Sequence, residues 1–267
     1  MKYLLYIFTV IITLVVIIIV NDNNSKLISI LTGTFVAFLY PIIDFIFDGT
    51  RTISDLKLAF KSKILHYNRD IRVSISYLFR IKIDDKYFLV YGNRIDQYQP
   101  VGGVYKYYEE AKSNFSKLNI KDDDCIEIDQ SSKNDLRIRV PGKNLMKFIK
   151  WFRSMECREV SHHREFLEEL IEPGVLSSNN FLYLDYSYIN SIIDGIKYDD
   201  HFKCYQLLIA DIYELKLSKK QIEEFKKLID KESNGYIWVD EDLINSLGVR
   251  KKQSHNKPIA RTAKWTL

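Results

Sequence analysis

The sequence predicts an α/β domain preceded by a two-helix transmembrane hairpin. Three observations carry that expectation. Two unbroken apolar runs, residues 3–20 and 27–47, stand at the start of the 267-residue chain. Beyond residue 70, segments rich in Val, Ile, Phe and Tyr alternate with segments whose apolar residues recur at helical spacing. The stretch Arg164-Glu-Phe-Leu-Glu-Glu169 then gathers three carboxylates within five residues. Lysine and arginine total 39 against 35 acidic residues, a net charge of +4. That near balance argues against a dedicated binder of long nucleic acid.

The first apolar run carries no charge and has the length of a short membrane span; the second carries only Asp44. Residues 21–26 hold strong turn chemistry and are too few for anything but an antiparallel hairpin. A cleaved signal peptide would need a small-residue cleavage site, which the first run lacks. Lys2 precedes the first run, and Arg51, Lys57, Lys61 and Lys63 follow the second. The positive-inside rule then places both termini in the cytoplasm and the chain in the inner membrane. Ser29, Gly33 and Ala37 repeat every four residues, a small-residue stripe suited to self-association in lipid. Asp44, just after Pro41, either snorkels to headgroups or lines a pore.

Residues 51–70 read as a linker helix, capped by Thr52 or Ser54, with Leu56, Ala59, Phe60 and Ile64 as its apolar face. Residues 71–249 form the main domain. Residues 72–83 and 86–91 predict a hairpin turning at Asp84-Asp85, and 101–108 a strand around two glycines. Short strands are expected at 125–128 and 136–140, and a helix over 143–155 on Leu145, Phe148, Ile149 and Phe152. Strands at 181–188 and 202–217 precede a serine-capped helix over 218–230, a strand at 236–239 and a short helix at 241–247. Residues 250–267 form a basic tail with Arg250, Lys251, Lys252, Lys257, Arg261 and Lys264, solvated or drawn to anionic groups. Three widely spaced cysteines, Cys125, Cys157 and Cys204, suggest reduced thiols.

On a helix, Glu165, Glu168 and Glu169 stand at i, i+3 and i+4 and share a face, while Phe166, Leu170 and Ile171 turn toward a core. Hard cations such as Mg²⁺ take such oxygen ligands together with substrate phosphates. Upstream, Gly103 to Glu109 reads G-x5-E. Together the two segments resemble the halves of the Nudix box, G-x5-E-x7-R-E-U-x-E-E-x-G-U, where U is a bulky aliphatic. Here a long insertion separates Glu109 from Arg164, Phe166 stands at U, and Ile171 and Glu172 replace the closing glycine and aliphatic. Arg94 resembles the arginine that precedes the Nudix glycines.

The resemblance implies an α/β/α sandwich with a mixed sheet, a metal face of Glu165, Glu168 and Glu169 for Mg²⁺ or Mn²⁺, and ligand contacts from Arg94, Gly102, Gly103 and Arg164. It assigns no catalytic residue. A hairpin fused to a divergent Nudix domain resembles the membrane effectors of bacterial CBASS antiphage systems, with their SMODS-associated Nudix domain. That likeness implies a cyclic oligonucleotide made by a partner nucleotidyltransferase, a homo-oligomer, and disruption of the lipid bilayer. The alternative is a membrane-anchored, Mg²⁺-dependent hydrolase of a nucleoside diphosphate derivative. Tyr105, Tyr107, Tyr108, Trp151 and Trp238 are available to stack on a base, or to pack in the core.

Overall fold

Alternation of apolar side chains along residues 70–80 creates one strand that every neighbouring element packs around. In the computed structural model the described residues are 2–19, 25–48, 50–92, 95–126, 129–130, 132–229, 231, 233–249 and 258–267, with side chains described from 7–18 and 28–44 in the first two helices. Along the chain run α1 (Lys2–Ile19), α2 (Ser25–Phe47), α3 (Ile53–Phe60), β1 (Asp70–Arg80), β2 (Lys82–Ile83), β3 (Lys86–Tyr91), β4 (Tyr98–Gln99) and β5 (Gly102–Val104). Then come α4 (Ala111–Lys117), β6 (Lys121–Asp122), β7 (Arg137–Pro141), α5 (Leu145–Ser154) and α6 (His163–Phe166). The chain closes with β8 (Asp185–Asp199), β9 (Cys204–Lys216), α7 (Lys219–Lys226), β10 (Tyr236–Val239) and α8 (Glu241–Asn245). It divides into two compact units, Met1–Asp70 with Val140–Ser154, and Ile71–Arg139 with Met155–Leu267.

In the first unit α1 and α2 lie against each other. No helix among the described residues is long and apolar enough to cross a membrane, which corrects the expected transmembrane hairpin and the inner-membrane placement that rested on it. A span needs about 20 consecutive apolar residues. α2 breaks its apolar run with Ser29, Thr32, Thr34, Pro41 and Asp44. Thr32 and Thr34 turn their hydroxyls onto the carbonyls of Ile28 and Ile30 at 2.8 and 2.9 Å, the usual way a helix satisfies such groups internally. The Ser29, Gly33 and Ala37 stripe is exposed, with open space beside Gly33.

Thr52, one of the two expected caps, starts α3 through a capping box. Its hydroxyl accepts from Asp55 N at 3.1 Å, and Asp55 Oδ2 accepts from Thr52 N at 3.2 Å. Asp55 is fully buried and receives the Arg153 fork, Nη1 to Oδ2 at 2.8 Å and Nη2 to Oδ1 at 2.7 Å. Burial pushes its carboxyl up, but these bonds and the Arg51 N–H hold it below the usual range. Leu145, Met146, Phe148, Ile149 and Phe152 form the buried face of α5. At the turn before it, a Cβ on Gly142 would lie 2.1 Å from His66 O, so only glycine lets the chain pass there.

The second unit holds a six-stranded sheet ordered β6-β7-β1-β9-β8, with β5 also on β1, and a four-stranded sheet ordered β10-β3-β2 with β4 on β3. β1 runs parallel to β9 and antiparallel to β5, so the large sheet is mixed as expected. Asp84 takes a left-handed conformation (φ 53°) at the β2–β3 turn, the place where Asp-Asp predicted one. Ile71, Val73, Ile75, Tyr77 and Phe79 are buried on one face of β1, while Leu78 meets Ala210 and Ile212 on the other. The smaller sheet has its own core of Tyr87, Leu89, Tyr98, Ile237, Val239 and Ile244.

Three segments depart from the sequence expectation. The strand expected at 125–128 is replaced by β6, two residues upstream of Asp124, which pairs with β7; residues 127 and 128 lie outside the described ones. The strand expected at 181–188 begins only at Asp185 and continues to Asp199, because β8 pairs with β9 along nearly its whole length through two register shifts. Gly195 (φ 75°) sits at the second shift, where a bulge needs a left-handed residue. The third is the C-terminal segment. Ile259, Ala260, Ala263 and Thr266 are buried, and Ala260 N donates to Tyr98 O at 2.8 Å, while residues 250–257 lie outside the described ones.

Candidate functional site

Two glycines open the site. At Gly102 (φ 145°) a Cβ would lie 2.2 Å from Tyr77 O, and at Gly103 it would lie 1.9 Å from Glu165 Oε1. β5 therefore threads between β1 and the carboxylate helix with no room for a side chain. Register places Gly103 opposite Tyr77 on one side of β1, and Asp211 opposite Tyr77 on the other.

The carboxylate helix keeps α geometry only through Phe166, and a π-helical turn follows over Leu167–Ile171, closed by Glu172 N to Leu167 O at 2.9 Å. Such turns space residues more widely than an α-helix and recur at functional sites. The segment expected as a plain α-helix is thus π-helical from Leu167 onward. Glu165 and Glu169 stay turned to β5, whereas the Glu168 side chain is 43% exposed. Among the described residues the three carboxylates do not close into one ligand group; the group that does is Asp123, Asp124 and Cys125. The helix ends at Pro173-Gly174, where Gly174 is left-handed (φ 73°), the stop that the sequence predicts.

Arg164 binds the face from within the chain. Its Nε donates to Glu159 Oε1 at 3.0 Å, its Nη1 to Glu165 Oε1 at 2.6 Å and to Glu168 Oε2 at 3.4 Å, and its Nη2 to Val104 O at 3.0 Å. Glu169 Oε2 accepts from Gly102 N at 3.0 Å. Burial pushes the Glu169 carboxyl up to about 8, against the pull of that N–H, so at neutral pH it is largely an acid rather than an anion. Burial also raises Glu165, countered by Arg164.

Beneath the helix lies a buried polar network. Tyr77 Oη accepts from Glu165 N at 3.4 Å, and its ring stands edge-on to His162, centroids 4.9 Å apart. Tyr105 Oη lies 2.9 Å from His162 Nε2 and donates to Asp211 Oδ2 at 2.9 Å; His162 Nδ1 is 3.3 Å from Tyr186 Oη. Burial, with Arg158 nearby, lowers His162 to about 4, so the ring is neutral and serves as a hydrogen-bonding spacer.

The structure thus brings Gly102, Gly103, Arg164, Glu165, Glu168 and Glu169 together. Arg94 lies outside the described residues. Glu109 is exposed and pairs with Lys112 at 2.7 Å. Of the aromatic candidates, Tyr105 and Tyr107 are buried, Trp238 packs edge-on to Phe88, Trp151 packs on Phe148, and Tyr108 is exposed. Sequence reasoning missed Glu159, Tyr77, His162 and Asp211. Only Glu159, five residues before Arg164, left a local signal.

A mixed sheet with a glycine strand packed on a helix of glutamates defines a Nudix-type domain. The chain belongs to the family of the SMODS-associated NUDIX domain, whose model matches residues 70–267. No curated protein and no solved structure matches the chain. Nudix domains commonly use divalent metals, and the donor chemistry here fits one: Glu165, Glu168 and Glu169 offer only carboxylate oxygens, two of them made reluctant anions by burial. A cation would take the place that the Arg164 guanidinium now holds at Glu165 and Glu168.

Proposed function

We propose that this chain is an effector of CBASS type whose Nudix domain binds a cyclic oligonucleotide made by a partner nucleotidyltransferase and assembles into homo-oligomers in response. Family membership supports the effector role. The observation that supports the sensor reading is that Glu165, Glu168 and Glu169 do not form one ligand group among the described residues, while Arg164 bridges Glu165 and Glu168. A domain that retains the glycine strand and its arginine but loosens the metal face is suited to holding a phosphate ligand more than to cleaving it. Gly102, Gly103 and Arg164 are the described residues we assign to ligand contact, and Glu165, Glu168 and Glu169 are those that would hold Mg²⁺ or Mn²⁺ beside the phosphates. Bound there, the ion would neutralise phosphodiester charge and help orient the ligand.

Assembly is supported by apolar surface on the N-terminal helices. Phe8, Ile11, Ile18, Ile30 and Val36 are exposed, an area that soluble monomers rarely leave uncovered. Hydrolysis of a nucleoside diphosphate derivative is the second reading. It is favoured by Glu169, whose carboxyl titrates near the range useful to a general base.

The test is a titration of the full chain with cyclic di- and trinucleotides in Mg²⁺, read by calorimetry, light scattering and chromatography of the ligand. Saturable binding with a rise in particle mass and an intact ligand is the expected result. Multiple-turnover breakdown of a nucleotide, abolished in Glu169→Gln, would overturn the sensor reading in favour of the hydrolase.

A further inference from the structure

Outside the carboxylate site, two cysteines far apart in sequence meet. Cys125 follows β6 in a loop pinned by arginines: Arg72 grips Asp123 through Nε and Nη2, both at 2.8 Å, and Arg139 pairs with Asp124. Arg139 Nη2 also donates to Cys125 Sγ at 3.0 Å. The same sulfur lies 3.9 Å from Phe202 O in the β8–β9 turn, where the Arg72 guanidinium rests 4.3 Å above the Phe202 ring. Cys204, the first residue of β9, is within hydrogen-bonding reach of Cys125. Both thiols are free and half-buried, whereas Cys157 is exposed.

Asp123, Asp124 and Cys125 also have the spacing of a cation site, but both carboxylates are already committed to guanidinium groups. A second cation beside two arginines is disfavoured by simple repulsion. We propose that Cys125 and Cys204 form a peroxide-responsive dithiol pair, which closes as a disulfide joining the loop after β6 to the β8–β9 turn.

The chemistry divides naturally between them. The Cys125 sulfur, which accepts the Arg139 N–H at 3.0 Å, gives up its proton and attacks one peroxide oxygen; the S–O bond forms, the O–O bond breaks, and the leaving hydroxide takes up a proton as water. Cys204, whose thiol burial pushes up, remains protonated until it attacks the sulfenic sulfur. The S–S bond then forms, and the S–O bond breaks with loss of water carrying the Cys204 proton. Two thiols are oxidised, and peroxide is reduced to two waters.

The full chain, reduced and freed of reductant, is exposed to hydrogen peroxide and mapped by mass spectrometry. Free thiols should fall from three to one, with a Cys125–Cys204 linked peptide that dithiothreitol reverses. Cys204→Ser should stop at a dimedone-trapped sulfenic acid on Cys125, and Arg139→Gln should slow oxidation several-fold. If Cys157 is consumed while Cys125 and Cys204 stay alkylatable, or if the linked peptide is absent, the proposal fails. Near-isosteric serine substitutions keep the fold, and unchanged thermal unfolding of each variant separates chemistry from misfolding.

Discussion

Gly103 and Glu165 are in contact so close that no side chain fits between them: a Cβ on the glycine would meet the carboxylate oxygen at 1.9 Å. The glycine of the first half of the box thus serves as a floor for the first glutamate of the second half, although 54 residues separate Glu109 from Arg164.

Gly103→Ala should therefore act on the site itself. Glu165 would have to leave Arg164 to make room, and overpacking of this kind costs about 1–3 kcal/mol. Chemical denaturation should show the loss, and calorimetry should show weaker Mn²⁺ binding. Unchanged stability would mean that Glu165 moves freely.

Removing the internal cation tests the face differently. Arg164→Met leaves Glu159 and Glu165 without their shared partner, and breaking a largely buried pair costs about 3–5 kcal/mol. Added Mg²⁺ should recover part of this in thermal unfolding, and recover less in the parent chain. Equal metal response in both would show that the ion does not compete with Arg164.

The Glu169 carboxyl gives a pH signature. Because its folded pKa is raised from 4.5 to about 8, its contribution to stability is complete below 4.5 and is lost as pH rises through about 8. Metal must displace that proton, so Mn²⁺ affinity should climb over the same interval. Glu169→Gln should flatten the stability decline on that limb, which thermal unfolding across the range will record.

His162 works in the opposite direction. Its folded pKa is lowered from 6.5 to about 4, so stability falls as pH drops from 6.5 through about 4, by up to about 3 kcal/mol. His162→Phe should lose stability at neutral pH, through the Tyr105 and Tyr186 bonds, yet show a shallower acid limb. An identical acid limb in the variant would assign the slope to other groups.

Local signals survived translation into structure best. The Thr52 and Ser218 caps, the Asp84 turn, the Pro173-Gly174 stop and the strands at 86–91 and 236–239 all rest on neighbours in sequence. The contact of Gly103 with Glu165 is not of this kind: it joins residues far apart in sequence, and only the resemblance of both segments to one motif suggested it. What failed depended on distant partners. The full extent of β8 is set by β9, its antiparallel partner. The π-helical turn has no signature at all in Leu167 to Ile171. Tyr77, His162 and Asp211 come from three segments that only the sheet brings side by side.

Residues 140–154 sit inside the stretch matched by the family, yet they fold with residues 1–70 through the Asp55–Arg153 fork and the Gly142 turn. The boundary drawn by homology and the boundary drawn by folding therefore disagree. A truncated chain beginning at residue 71 would keep α5 but strip away its acidic partner, baring Phe148, Ile149 and Phe152 and stranding the Arg153 charge. Excising the N-terminal residues is thus not a neutral way to obtain the Nudix domain, and aggregation of such a fragment would report on a broken module rather than on the ligand chemistry.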